Sequence, residues 1–431
     1  MTHRLRQALG LAFGLAVILG NTIGAGILRA PGEVATYLPT TGWFMLAWGI
    51  GGAYALLGAL SIAELGTMMP QSGGQYVYAK RALGAYAGFV VGWSDGVSTC
   101  GSTAFIAMVM GEYASAFWPR LAGHDTGIAA AVTIAFAAVQ WRGIAWGSRV
   151  QNLTSLLKAL VFVALIGACF ALGHKPATSV ATVNSTRPFF LSLILALQAI
   201  IYTYDGWTGV IYFSEEVREP ARDIPRALFG GVLAIIAIYL LVNLAFLTVL
   251  PVSKIASDPF VAGTVAQVLW GARGTRILQV LVLLSMLSSI NANTLMASRV
   301  LFGMSRDALF SDKVVNVNAG GTPTLALFIS TLITLFFILT GTFNQVLAVL
   351  AFFFVTNYAL SFLSVLVLRR TELQTPRPHR TWCYPFTTGL ALLGSLTFLL
   401  GAVISDRRNS LYALALLAIS YPVFFLLRRK I

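Results

Sequence analysis

The chain has 431 residues, of which 57% are hydrophobic and 10% charged, whereas soluble domains carry about 25% charged residues. This composition excludes an ordinary soluble domain and predicts an all-α membrane protein with no separate soluble unit. A formal net charge of +14 does not point to nucleic acid, because the basic residues fall in short loops between apolar runs, where they set topology. Cys100, Cys169 and Cys383 are scattered without metal-ligand spacing, and none of the four histidines lies beside a cysteine or a paired carboxylate. With no nucleophile elbow, phosphate loop or zinc motif, neither an enzyme nor a bound cofactor or metal is expected.

Apolar runs of bilayer-spanning length recur along the chain. About twelve are expected, centred near residues 24, 55, 100, 133, 162, 202, 237, 287, 331, 356, 393 and 418. The first follows Arg4 and Arg6 and is interrupted by Gly20-Asn21-Thr22-Ile23-Gly24-Ala25-Gly26-Ile27. Because it then continues, it reads as a first transmembrane segment and not as a cleaved signal. The second run carries Glu64, for which two readings are open: an ion pair with Lys80 or Arg81 at a gate, or a solvated interfacial acid. Asp95 and Ser94 in the third run form part of a polar interface to which no role is assigned.

The fifth run contains Lys158. A lysine inside a span is costly and by default functional. The alternative is snorkelling, since Arg149 lies only nine residues earlier and the lysine stem can reach towards the interface. The sixth run is broken by Tyr204-Asp205-Gly206-Trp207-Thr208-Gly209. Asp205 there can bind an amine, titrate, or cap the helix that resumes. In the eighth run Ser285, Ser288, Ser289, Asn291, Asn293 and Thr294 either glue helices together or face the breaks. Residues 371–380 hold prolines and charges that no span tolerates, and they read as a linker. Basic residues concentrate in the loops on the N-terminal side, placing both termini in the cytoplasm.

Five spans separate the starts of the broken segments, so the second unit must be inverted. The expected fold is a leucine-transporter-type five-plus-five repeat with broken helices 1 and 6. Residues 1–180 form the first repeat, 181–370 the second, and 371–431 the linker plus two further helices. Paired breaks at membrane depth mark a substrate site. The half-helix resuming after Gly26 offers free N–H groups and a positive dipole end suited to a carboxylate. The carbonyls ending near Tyr202 and Thr203 suit an ammonium. Together the breaks complement a zwitterion.

These residues resemble the amino acid–polyamine–organocation superfamily, and within it the L-type amino acid transporter family and its bacterial relatives. The likeness rests on the two breaks, on Glu64-Leu65-Gly66 through Pro70 with Gly73-Gly74, on residues 215–225, and on Ser298-Arg299 with Ser305-Arg306-Asp307. Aromatics such as Tyr202, Tyr204, Trp207 and Phe105 either close over a substrate or, like most aromatics of this chain, pack or face lipid. The likeness implies a substrate carboxylate on Ile23, Gly24, Ala25, Gly26 and Ile27, and an α-amine on Tyr202, Thr203 and Asp205. It implies that Lys158 replaces the sodium ion of coupled relatives, with Gly20, Ser285 and Ser289 as neighbours. It also implies rocking of the broken pair and its neighbours against spans three, four, eight and nine.

Three departures stand out. Ala25 replaces the family's usual serine, Arg29 is unusual just past the break, and residues 118–125 lack the cysteine that joins animal members to a glycoprotein. No disulfide-linked partner subunit is therefore expected. The expected partners are a small-molecule amino acid and the lipid bilayer, without nucleic acid. The function read from this likeness is sodium-independent exchange of neutral L-amino acids in a bacterial inner membrane. Proton-coupled symport, transport of cationic amino acids or polyamines with Asp205 as counter-ion, and an amino acid sensor remain the alternatives; a sensor's usual signalling tail is missing from these short termini.

Overall fold

The computed structural model describes residues 5–24, 26–173, 188–309, 311–341 and 343–428. Ala25 lies outside the described residues, as do Arg4, Lys175, Arg187, Arg429 and Lys430. The helices are α1 Leu11–Thr22, α2 Gly26–Tyr37, α3 Thr41–Met68, α4 Gln75–Leu83, α5 Ala85–Phe117, α6 Asp125–Trp141, α7 Ile144–Leu172, α8 Phe189–Tyr204, α9 Pro220–Val249, α10 Val252–Ile255, α11 Val261–Trp270, α12 Ala272–Arg306, α13 Thr324–Thr340, α14 Phe343–Thr371, α15 Phe386–Ser405 and α16 Arg407–Arg428. Short 3-10 turns lie between them, one of which, Gly209–Phe213, follows α8. No β-strand occurs among the described residues.

Eight helical segments are long and apolar enough to cross a membrane, and α1 with α2, bent by 48° at a short break, makes a ninth. The remaining expected positions are occupied by α5, α6 and α13. Helix α5 has 33 residues but carries Asp95 and Glu112. Helices α6 and α13 have 17 residues each, about 26 Å of rise. The molecule is a multi-pass, all-helical membrane protein.

The long helices are polar inwards and apolar outwards, as a bilayer requires. On α7, Leu153, Leu156, Leu160 and Val163 are more than half exposed, while Gln151, Ser155, Lys158 and Phe162 are buried. The two sets fall on opposite faces at helical spacing. Helix α1 packs on α7, α9 and α12; α8 lies against α2 and α3; α5 spans the molecule beside α12 and α14.

Ion pairs gather at one end. The fully buried Glu216 and Arg299 join at 3.0 Å, and the guanidinium lies over the Phe213 ring. Nearby, Arg306 meets Glu215 and Lys80 meets Asp307 at 2.9 Å. The segment before α1 joins this plug, since the Leu9 N–H donates to the Glu216 carbonyl and the Arg218 N–H to the Leu9 carbonyl.

Neither open reading of Glu64 holds, since it is buried and pairs with neither Lys80 nor Arg81. Its carboxylate accepts two bonds from Arg369, at 2.6 and 2.7 Å, and the Thr381 N–H at 2.8 Å, while Arg81 pairs with Glu372. The cause is the packing of the last turn of α14 on α3, which brings the planar Arg369 fork to the carboxylate, while the segment after α14 folds back over α3 and adds the Thr381 N–H. Bidentate geometry of that kind outcompetes a single lysine contact.

Candidate functional site

The two breaks meet in the centre of the helix bundle. A Cβ on Gly26 would stand 3.3 Å from the Thr203 side chain, and one on Gly206 would stand 2.9 Å from the Asn21 amide and 3.0 Å from the Thr22 nitrogen. Gly206 also has φ +104, a conformation that glycine adopts without steric cost. The lack of side chains therefore lets the two backbones interlock. Gly24, by contrast, has open space beside it.

Helix ends leave carbonyls without intrahelical partners, and here those of α1 are met by side chains. The Gly20 carbonyl accepts the Lys158 Nζ at 2.7 Å and the Ser289 hydroxyl at 2.9 Å. The Thr22 carbonyl accepts the Tyr239 hydroxyl at 2.7 Å, and the Ile23 carbonyl accepts Ser285 at 3.2 Å. Asn293 donates to the Asn21 side-chain oxygen at 2.9 Å. Ser285, Ser289 and Asn293 recur every fourth residue, so one stripe of α12 faces the first break.

Lys158 is 1% exposed, which rules out snorkelling in this conformation. Its ammonium also donates to Ser289 at 3.0 Å. A cation at the C-terminal end of α1 is favoured by that helix's dipole. Gly20 is required for the approach, because a Cβ there would collide with Gln151, Ser155 and Ser288.

At the second break, the Tyr202 carbonyl takes the Asp205 N–H at 3.2 Å, and the Thr203 carbonyl takes the Tyr239 hydroxyl at 3.0 Å. Tyr239 thus reaches both breaks with one hydroxyl. Asp205 sits at the C-cap of α8, and its Oδ1 accepts the Tyr358 hydroxyl. It does not cap the element that resumes, because that element is the 3-10 turn whose N-cap is Thr208. Trp207 is buried, stacked on Tyr358 with ring centroids 5.2 Å apart and packed against Gly58.

A cavity of about 510 Å³ opens from this junction. Gly24, Gly26, Tyr202, Thr203, Asp205 and Ser289 line it; Ile23, Ile27, Trp207, Lys158, Gly20 and Ser285 stand behind its wall. Its mouth is formed by exposed residues, among them Arg29, Glu33, Ser257 and Pro259. Arg29 lies over the Phe260 ring at 5.8 Å. The deep end is walled by buried Asp95, Thr99, Thr208 and Tyr212. The ion-paired plug around Glu216 and Arg299 follows the Gly209–Phe213 turn, so the cavity is open at one end and closed at the other.

Three contributors escape a reading of the sequence. Tyr239, Tyr358 and Asp95 lie in ordinary apolar runs, and their partners are 217, 153 and 117 residues away. The only sequence signal was the acid in a span at Asp95. Among the described residues no group of His, Cys, Asp or Glu is arranged to hold a metal ion.

The model of the amino acid permease family matches residues 6–425. The chain is 27% identical to the serine/threonine exchanger SteT of Bacillus subtilis (strain 168), over 99% of this chain and 98% of that protein. It is 29% identical to the human b(0,+)-type amino acid transporter 1, over 88% of this chain and 79% of the relative. It is 26% identical to the rat large neutral amino acids transporter small subunit 2, over 98% and 81%. With glycine breaks that interlock at a central cavity, an all-helical membrane fold and a family match from end to end, the chain belongs to the amino acid permease family.

Proposed function

We propose that this chain exchanges amino acids across the membrane by alternating access and without sodium. The observation that carries this is the meeting of the two breaks at one cavity, with the Lys158 ammonium on the carbonyl end of α1. The substrate carboxylate is assigned to the N–H groups of residues 23–27 and the α-amine to the carbonyls of Tyr202, Thr203 and Asp205. Lys158 supplies the fixed positive charge that a sodium ion would otherwise bring, with Gly20, Ser285 and Ser289 around it. Trp207 acts through Tyr358 behind the cavity wall.

With both termini assigned to the cytoplasm of a bacterial inner membrane, the open cavity faces outwards and the Glu216–Arg299 plug closes the cytoplasmic side. Residues 1–180 and 181–370 are taken as inverted repeats that move against each other, with 371–431 outside them. The chain is proposed to work without a disulfide-linked subunit. By their names, SteT supports exchange and the rat relative supports neutral amino acids.

A second reading, a cationic substrate, is favoured by one observation. Among the described residues lining the cavity are four carboxylates (Glu33, Asp95, Asp205 and Asp258) against one basic side chain, Arg29. Proteoliposomes with and without internal amino acid test the exchange. Uptake only into loaded vesicles, unaltered by removal of sodium, is expected; equal uptake into empty vesicles under a pH gradient would replace exchange by proton symport.

A further inference from the structure

We propose that Asp95 is a specificity residue of this cavity, and that it receives the positively charged end of the substrate's side chain, an ammonium or guanidinium. This rests on the second reading above, a cationic substrate, and on the two breaks holding the amino acid's own carboxylate and amine.

Asp95 is 3% exposed and lies at the deep end of the cavity. Its Oδ1 accepts the Tyr212 hydroxyl at 2.9 Å, and the Thr99 hydroxyl lies 3.4 Å from it while donating to the Asp95 carbonyl at 2.7 Å. Its Oδ2 is buried and has no hydrogen-bond partner. A carboxylate oxygen in that condition inside a membrane protein is costly, and an ionised acceptor without a donor loses the larger share of its solvation. Asp205, the other acid of the cavity interior, has its Oδ1 on Tyr358. The basic residue of the lining, Arg29, sits among exposed residues at the mouth, and Lys158 is committed to Gly20 and Ser289. The missing donor at Oδ2 is thus one that a ligand can bring.

The deep end of the cavity is also the polar end of its α5 wall. Asp95, Thr99, Ser102, Phe105, Ile106 and Val109 line the cavity along one face of α5, at the spacing of successive turns. Hydroxyls and the carboxylate occupy the deep end, and apolar groups stand nearer the mouth.

The experiment compares L-lysine with L-norleucine, which has the same main-chain groups and an uncharged side chain of similar length. Competition against exchange of a labelled amino acid is measured in proteoliposomes of the full chain, first in the wild type and then in Asp95→Asn. Lysine is expected to compete at least tenfold better than norleucine in the wild type. In Asp95→Asn that preference, read as the ratio of the two compounds within the variant, is expected to fall to about twofold or less.

Equal or better competition by norleucine in the wild type would overturn the assignment without any variant. So would a loss in Asp95→Asn that is the same for both compounds, which is the mark of a structural or proton-carrying role. Exchange of no amino acid at all would instead defeat the underlying reading of the breaks, and is distinguishable from either result.

Discussion

The Lys158 ammonium and the Gly20 carbonyl are 2.7 Å apart across 138 residues of sequence. The pair joins the middle of α7 to the last turn of α1, where the chain leaves helical geometry. A free carbonyl at a helix end and a buried ammonium are each costly alone, and together they satisfy one another. The last turn of α1 is thereby tied to α7 at the point where the first break begins.

Removal of that charge is the most direct perturbation of the site. Lys158→Ala leaves the Gly20 carbonyl to Ser289 alone, with a loss of about 1.5–3 kcal/mol from the charged hydrogen bonds. Exchange without sodium is expected to fall at least tenfold, with a lower unfolding temperature in detergent. Sodium added to the variant is the second arm of the assay, and recovery of rate there would show a cation site in place of the ammonium. Wild-type rates in sodium-free medium would remove Lys158 from the mechanism.

Gly206→Ala tests the contact between the breaks. The new Cβ enters a positive-φ position and presses on Asn21 and Thr22; strain of this kind costs about 1–3 kcal/mol. Apparent substrate affinity should weaken tenfold or more while the protein still elutes as a monodisperse species. Gly26→Leu, which pushes on Thr203, should block binding outright. Equilibrium binding of labelled substrate measures both, and unaltered affinity in Gly26→Leu would detach the first break from the site.

Tyr358→Phe removes the hydroxyl that Asp205 accepts while keeping the ring stacked on Trp207. An acceptor stripped of a buried donor costs about 1–3 kcal/mol. A rise in KM with little change in maximal rate is expected if Asp205 contacts the substrate amine. A change confined to thermal stability would make the Tyr358–Asp205 bond a purely structural one.

At the closed end, Arg299→Ala strands the Glu216 carboxylate without its partner. Breaking a fully buried pair from one side costs about 3–5 kcal/mol. The thermal midpoint should drop clearly, and less in Arg299→Met paired with Glu216→Leu, which removes both charges. With the exposed Cys383 first replaced by serine, a cysteine placed at Val210 is expected to become reactive to a thiol reagent from the cytoplasmic side only when the plug is broken; equal labelling in both backgrounds would contradict its role as a seal.

The breaks were legible in the sequence because glycines and polar residues interrupt otherwise apolar runs, and no lipid-facing helix tolerates that. Lys158 was legible for the same reason, as a charge in a span. Its direction was not: only the inward placement of Gln151 and Ser155 on the same face of α7, with leucines on the other, separates a buried ammonium from a snorkelling one. Pairings over long separations stayed hidden. Glu64 has nearby basic residues at Lys80 and Arg81, yet the fold brings Arg369 from 305 residues away. Asp95 gave no sign of its free oxygen, because that depends on where Tyr212 falls after the second break. Tyr239 and Tyr358 were two tyrosines among 14, distinguished only once both breaks were placed.

The central claim is that an amino acid lies across the two breaks. A cryo-EM or crystal structure with a transported amino acid bound tests it directly. The account predicts the carboxylate within hydrogen-bonding distance of N–H groups in residues 23–27 and the amine at the carbonyls of Tyr202, Thr203 or Asp205. Density for the amino acid elsewhere, with both breaks unoccupied, would contradict it.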